Sequence, residues 1–265
     1  MDGIAQFKEA QKEGWKHFAP LETVTTPAAA RLVRFAGISP GMRVLDVGCG
    51  TGVVAITAAR LRARVEAIDL TPQLLDRARE NARIAKVDIE FREADAEDLP
   101  FREDEFDIVV SQFAHMFAPR PDVAIAQMLR VLRPGGTIAF STWPPELLVG
   151  RTMQLASRYM PPPPPGIPSP MLWGDPQTVT QRLGSAVADI VFDRDSILVP
   201  ALTPQHFRMV IEGSAGPIIK MIQTLSVSDP ERLESYRSEF DAIVALYMRD
   251  NLIKQGYLLT RARKV

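Results

Sequence analysis

Three glycines spaced G-x-G-x-G follow an apolar run that holds a carboxylate: Val44-Leu45-Asp46-Val47-Gly48-Cys49-Gly50-Thr51-Gly52. Val53 to Arg60 continues with the small and apolar residues of a helix packed on a sheet. Strand, glycine turn and helix together make a cradle for a nucleotide-type ligand. Glycine accepts the turn's dihedrals and lets a ligand touch the backbone, and the helix N-terminus presents unpaired N–H groups. A dinucleotide site spaces its glycines G-x-G-x-x-G and sets a pyrophosphate on that helix end. Here the third glycine comes one residue early. Asp46, two residues before the first glycine, would repel a pyrophosphate and attract a ligand carrying an ammonium and a sulfonium.

Two further acids lie downstream. Val65 to Leu70 reads as a second strand with Asp69 at its end, 17 residues after Gly52. That is close to the distance at which an acid meets a ribose. A carboxylate accepts from two hydroxyls, so Asp69 argues against a phosphorylated ribose; a strand-end turn residue is the plain alternative. After a third strand comes the acidic segment Ala94-Asp95-Ala96-Glu97-Asp98-Leu99-Pro100-Phe101. After a fourth, the apolar loop Gln112 to Pro119 holds His115, one of three histidines with His17 and His206. Ligands of open α/β sheets bind outside the carboxyl ends of strands, and an ordinary imidazole suits proton removal near neutrality. Three roles fit His115: catalytic base, substrate positioning, or structure. Phe113, Met116, Trp143 and Trp173 are candidates for an apolar acceptor pocket, with core packing the alternative for each. Cys49 reads as a small residue in a tight turn. His and carboxylate residues do not cluster at ligand spacings, so no metal site is expected.

The run Asp46-Val-Gly-Cys-Gly-Thr-Gly52 resembles motif I of the class I S-adenosylmethionine (SAM) dependent methyltransferases. Residues 94–101 resemble that family's D-A-x-x-L-P-F segment, and Arg130-Val-Leu-Arg-Pro-Gly-Gly136 resembles its R-V-L-x-P-G-G turn. The resemblance spans residues 42–143 and is nearest to the quinone-biosynthesis-like and small-molecule group (methyltransferase type 11/25). It implies SAM as cofactor and S-adenosylhomocysteine as product. It implies cofactor contacts from Asp46, Gly48, Cys49, Gly50, Gly52, Asp69, Leu70, Ser111 and Gln112, with Asp95 accepting from the adenine amino group and the Ala96 backbone meeting the ring. In such enzymes an N-terminal segment folds over the pocket, which makes Trp15, His17 and Phe18 candidates to touch cofactor or substrate; Trp15 and Phe18 would otherwise simply anchor the helix. The reaction implied is in-line methyl transfer to a small, partly apolar acceptor. Two other readings are a non-catalytic SAM-binding protein and an NAD-dependent oxidoreductase.

These residues need elements to position them. Residues 42–143 alternate strand and helix, which predicts a parallel sheet with right-handed crossovers. Residues 4–18 read as an amphipathic helix, with Ile4, Phe7, Gln11 and Trp15 at helical spacing. Thr26-Pro27 is expected to open the next helix. Beyond residue 143 the reading is a helix from Glu146 to Tyr159, then a stiff loop with five prolines (161–165) spanning the pocket mouth. Asp175-Pro176 caps a short helix to Leu183. A sixth strand runs over 187–192, continued in extended form over 196–200. Helices follow over 204–225 and 230–254, and a last strand over 257–265. The fold class expected is α/β: a Rossmann-like, seven-stranded, mostly parallel sheet with helices on both faces, an antiparallel last strand and a helical insertion. It divides into N-terminal lid helices (1–36), a SAM-binding core (37–200), an insertion over the pocket (201–254) and the last core strand (255–265), one domain with a cap.

Composition narrows the partners. The 46% hydrophobic content supports a substantial core, and a net charge of −1 gives no field that recruits nucleic acid or an acidic membrane. The loop after the fourth strand lacks an Asn-Pro-Pro-Tyr-like motif for reading a flipped base. One cysteine excludes an intramolecular disulfide. No secretory signal is visible, and no stretch approaches the roughly 20 apolar residues of a membrane span. The expectation is a cytoplasmic monomer or homodimer acting on a small molecule.

Overall fold

Five strands lie parallel in the spatial order Glu90–Glu93 (β3), Arg64–Asp69 (β2), Arg43–Val47 (β1), Phe106–Gln112 (β4) and Leu132–Thr142 (β5). Leu252–Lys264 (β8) pairs antiparallel to β5, and Val187–Pro200 (β6) antiparallel to β8. Met248–Arg249 (β7) is a short arm folded back on β8. The sheet is therefore mostly parallel and Rossmann-like, as expected, with β8 as the antiparallel last strand. The computed structural model describes residues 3–265.

The central strands carry apolar runs because both faces are covered. Val44, Leu45 and Val47 of β1 and Val109 and Val110 of β4 have no exposed surface. The crossover helices are Val53–Arg60 (α3), Pro72–Ala85 (α4) and Pro121–Val131 (α5). Strand order reverses between β1 and β4, the kind of switch point at whose carboxyl end ligands of open α/β sheets bind. Glu22–Ala36 (α2) packs on α3 and on β5.

Gly3–Trp15 (α1) lies outside the sheet, with none of its residues fully buried. Leu148–Ser157 (α6), Pro204–Ser214 (α8), Gly216–Ser228 (α9) and Pro230–Ala245 (α10) pack on one another, and α1 packs on α9. Gly14 and Gly216 make the last contact possible: a Cβ on Gly216 would stand 2.2 Å from the Gly14 backbone. Pro176–Leu183 (α7) starts where expected, with Asp175 accepting from the Gln177 and Thr178 amides. The proline stretch 161–165 has no regular structure and is largely exposed. Among the described residues no helix is long and apolar enough to cross a membrane.

Several boundaries differ from expectation; the helix expected over 204–225, for one, is two helices, α8 and α9, parted at Ala215. α2 begins at Glu22, a turn before Thr26, so Pro27 sits inside it; the carbonyl it leaves unpaired belongs to exposed Thr23. β6 is one 14-residue strand, because β8 pairs with it from Val187 to Pro200. The helix expected over 230–254 stops at Ala245, and strand structure begins at Met248. Asp250 and Asn251, with φ of 50° and 60°, form the two-residue turn between β7 and β8. That turn requires positive φ at both positions, which Asp and Asn accept.

Candidate active site

The glycine turn leaves β1 with Gly48, Gly50 and Gly52 all at positive φ. The Gly48 and Cys49 amides both donate to the Ile68 carbonyl at 2.8 Å, tying the turn to β2. A Cβ on Gly48 would lie 2.3 Å from the Ala114 Cβ, whereas one on Gly50 would meet nothing within 4 Å. The turn is thus closed on its β4 side and open at Gly50. Asp46 lies behind it, 1% exposed. Its Oδ2 accepts from the Ala55 N–H of α3 at 3.0 Å, and Oδ1 has no partner among the described residues. Burial pushes this carboxyl up to about 7. Asp46 is therefore enclosed beneath the turn, where its charge can be felt across the backbone but its side chain meets almost no solvent. Cys49 is also buried, and its thiol is pushed well up, so it is a poor nucleophile.

Asp69 closes β2 beside that open glycine. Its Oδ2 accepts from the Gly50 N–H and its Oδ1 from the Thr71 N–H, each at 2.8 Å. Burial raises this carboxyl and the two amides oppose the rise. Leu70 follows, half-buried. One strand over, the Ala94 N–H donates to the Asp69 carbonyl at 3.1 Å, which sets the Asp95–Ala96 loop alongside. Both Asp95 and Ala96 are half-buried. Asp95 Oδ1 accepts from the Glu97 N–H at 2.9 Å and Oδ2 from Lys8 of α1. Space at Gly50 and acceptor oxygens at the ends of two adjacent strands fit a nucleoside whose sugar and base both donate.

Helix α1 covers this edge. Lys8 pairs with both Asp95 and Glu97, and Lys12 pairs with Glu93. Gln11 donates to the Phe117 carbonyl at 2.9 Å, and the Trp15 ring meets Phe117 edge-on at 4.9 Å. Phe18 touches Trp15 at 5.9 Å. His17 is exposed and joins none of these ring contacts.

The strand that ends nearest β1 contributes scaffold as well as pocket. The Ser111 hydroxyl donates to the Val47 carbonyl at 2.7 Å and accepts from the His115 N–H, and Gln112 Nε2 donates to the Thr25 carbonyl. The Ser111 hydroxyl and the Gln112 amide nitrogen thus hold β4 against β1 and α2, while Gln112 Oε1 has no partner among the described residues. Phe113, at φ 55°, stacks on Trp143 with centroids 3.8 Å apart, and Tyr257 of β8 meets Phe113 edge-on at 5.5 Å. His115 lies apart from that trio, and Met116 is buried. The His115 ring sits between Phe140 (4.5 Å) and Trp173 (4.7 Å), 2% exposed, with neither nitrogen partnered among the described residues. The Arg182 guanidinium lies 4.5 Å from the Trp173 ring. Burial, and then the Arg182 charge, push the imidazole down to about 3. An enclosed imidazole this weakly basic is a poor acceptor for a substrate proton. His115→Phe is accordingly expected to keep turnover within about threefold of wild type, with the same pH profile between pH 6 and 9; loss of one ionisation from that profile would reinstate His115 as a base.

The sequence-predicted aromatic candidates thus fall into three groups: Phe113 with Trp143, His115 with Trp173, and Trp15 with Phe18. Sequence reasoning missed Lys8, Glu97 and Tyr257. Lys8 stood four residues before Lys12, on the stripe that carries Phe7, Gln11 and Trp15, a place where a lysine in a surface helix is out of pattern.

Residues 45–140 match the methyltransferase domain family. Over 244 residues the chain is 36% identical to an uncharacterized protein of Mycobacterium tuberculosis, spanning 92% of this chain and 89% of that one. It is 40% identical over 104 residues to a ubiquinone biosynthesis O-methyltransferase of Xanthomonas campestris, 39% of this chain and 44% of the other. Its fold is shared with the YcgJ protein of Bacillus subtilis (TM-score 0.60, 18% identity, 90% and 98% covered). It is shared too with phosphoethanolamine N-methyltransferase 2 of Haemonchus contortus in complex with S-adenosyl-L-methionine (TM-score 0.56, 17% identity, 90% and 52% covered). The matched segment runs from β1 into β5 and takes in the glycine turn, Asp69 and Asp95, so the chain belongs to the class I SAM-dependent methyltransferases.

Proposed function

We propose that this protein binds SAM and transfers its methyl group to a small, partly apolar acceptor, releasing S-adenosylhomocysteine. The observation that carries the reading is the Asp69 carboxylate beside the open Gly50 backbone, at the point where strand order reverses. When bound, the cofactor supplies a methyl carbon on a cationic sulfur; the acceptor's electron pair forms the new bond as the carbon–sulfur bond breaks and its pair stays on a neutral thioether.

The chain's own residues bind and orient. Asp69 keeps a lone pair free on each oxygen for the two ribose hydroxyls, and Asp95 does the same for the adenine amino group. The glycine turn offers backbone to the amino-acid end. Asp46 supplies negative charge behind the turn, where a ligand cation is favoured. Phe113 and Trp143, at the ends of β4 and β5 and backed by Tyr257, form an apolar wall that suits a planar or greasy acceptor. Alignment in a dry site supplies much of the rate enhancement in such a displacement. Helices α8–α10, with α1 against α9, are read as the cap on that side.

Calorimetric titration with SAM, S-adenosylhomocysteine and NADH tests the reading. Micromolar binding of the first two and none of the third is expected; binding of NADH alone would overturn it. The pH dependence has a definite sign. Asp46 sits near 7 in the free protein, and a neighbouring cation lowers it, so SAM binding expels a proton and tightens by roughly tenfold from pH 5.5 to 7.5. Asp46→Asn flattens that slope.

A further inference from the structure

We propose that Lys8 is a cofactor-positioning residue: it fixes the Asp95 carboxylate to receive an amino group at purine carbon 6 and, through the same contact, couples α1 to the base. This rests on the reading of Asp95 as the acceptor for adenine.

The Lys8 side chain is 15% exposed and stands between two carboxylates, Asp95 Oδ2 and Glu97 Oε2. Glu97 is the more enclosed of the two, its side chain 1% exposed. It also accepts twice from Arg120, whose backbone N–H donates to Oε1 at 2.6 Å and whose Nε donates to Oε2 at 2.7 Å. Arg120 stands just before α5, so Glu97 joins the loop after β3 to the segment after β4. Lys8 adds α1 to that junction. Asp95 is held at both oxygens, Oδ1 by the Glu97 amide and Oδ2 by Lys8. Both ties oppose its rotation, and two of its roughly four lone-pair positions stay free. A carboxylate fixed in this way accepts from the amino group of adenine and repels the carbonyl of hypoxanthine.

Lys8 is not what seats the helix. Gln11, Lys12 and Trp15, three, four and seven residues on, make their own contacts with Phe117, Glu93 and Phe117 again. Gly14 adds the contact with Gly216. Removing the Lys8 charge leaves α1 with four other anchors and frees Asp95 to turn. Because the pair is largely shielded from solvent, it counts for more than an exposed one.

The test is calorimetry with S-adenosylhomocysteine and S-inosylhomocysteine on the full chain. Wild type is expected to prefer the adenosyl ligand. Lys8→Met should weaken its binding by roughly tenfold and narrow the preference over the inosyl ligand, with a single cooperative melting transition retained at a somewhat lower temperature because Glu97 loses one of its two cations. Lys8→Arg should stay within about threefold of wild type. Added to Asp95→Ala, Lys8→Met should cost little more, since the two act as one unit. Wild-type affinity in Lys8→Met, or a loss that adds in full to that of Asp95→Ala, would overturn the proposal while leaving the methyltransferase reading intact. Unchanged binding in Asp95→Ala would overturn it with the adenine assignment alone, and a wild type that binds neither ligand would overturn the cofactor reading as well.

Discussion

Asp69→Ala is expected to weaken SAM binding by at least about a hundredfold and to remove methylation at ordinary cofactor concentrations. Two ligand hydroxyls would lose a charged acceptor, each hydrogen bond of that kind being worth about 1.5–3 kcal/mol, and about 2.7 kcal/mol already gives a hundredfold. The loss reaches the protein too. The Gly50 and Thr71 amides both donate to this side chain, so the variant leaves two N–H groups unpaired and removes the tie at Gly50, while the Gly48 and Cys49 amides still hold the turn to the Ile68 carbonyl. Asp69→Asn separates these effects: one oxygen remains to accept, while the amide nitrogen faces an N–H. It should bind more weakly than wild type and more tightly than the alanine variant. Calorimetry with a parallel melting curve reads both, and unchanged SAM affinity in Asp69→Ala would count decisively against the site.

The second large effect is steric. Gly48→Ala would place a methyl group 2.3 Å from the Ala114 Cβ, on a backbone at φ +71°. Overpacking costs about 1–3 kcal/mol and the left-handed conformation about 1–2 more for an alanine, so a destabilisation of about 3 kcal/mol is expected in urea unfolding. The contact sits between the β1 turn and the loop after β4, close to where Ser111 reaches the Val47 carbonyl. Forcing the loops apart should therefore lower turnover even at saturating SAM. Ala114→Gly in the same chain removes the clash and leaves the dihedral cost, so the double variant should recover about half of the lost stability. Equal stability of the single variant and wild type would show that the two loops do not meet as described.

Much of the site was legible because its positions are dictated by backbone chemistry. Glycines at 48, 50 and 52 signal positive φ, and acids at the ends of β1 and β2 stand out against apolar strands. The alternation over residues 42–143 follows from crossovers that bury both faces of a parallel sheet, and β1 ends at Val47, immediately before the glycine turn. What was not legible depends on partners far away in sequence. Nothing local says that Lys8 meets residues 95 and 97, or that the His115 ring is sealed by Trp173 from a segment beyond the prolines. The helical pattern through 240–247 ran past the end of α10 because Tyr247 packs against the core on either reading. The Asp250-Asn251 turn was the local sign that the chain had changed structure. Thr26-Pro27 misled in the opposite direction, since a helix tolerates proline late in its second turn when the orphaned carbonyl is exposed.

The position of β8 has a consequence for how the chain folds. The five parallel strands can assemble from residues 43–142, each crossover helix packing as it is made. β6 then has no neighbour, because the strand that separates it from β5 begins about fifty residues after β6 ends. Until β8 slides between them, β5 is an open edge with apolar flanks, the kind of template on which chains aggregate. Pairings of such long sequence separation are slow to form. Synthesis from the N-terminus leaves the half that carries the glycine turn competent to fold early, while the Phe113–Trp143 stack, which Tyr257 of β8 backs, is completed last.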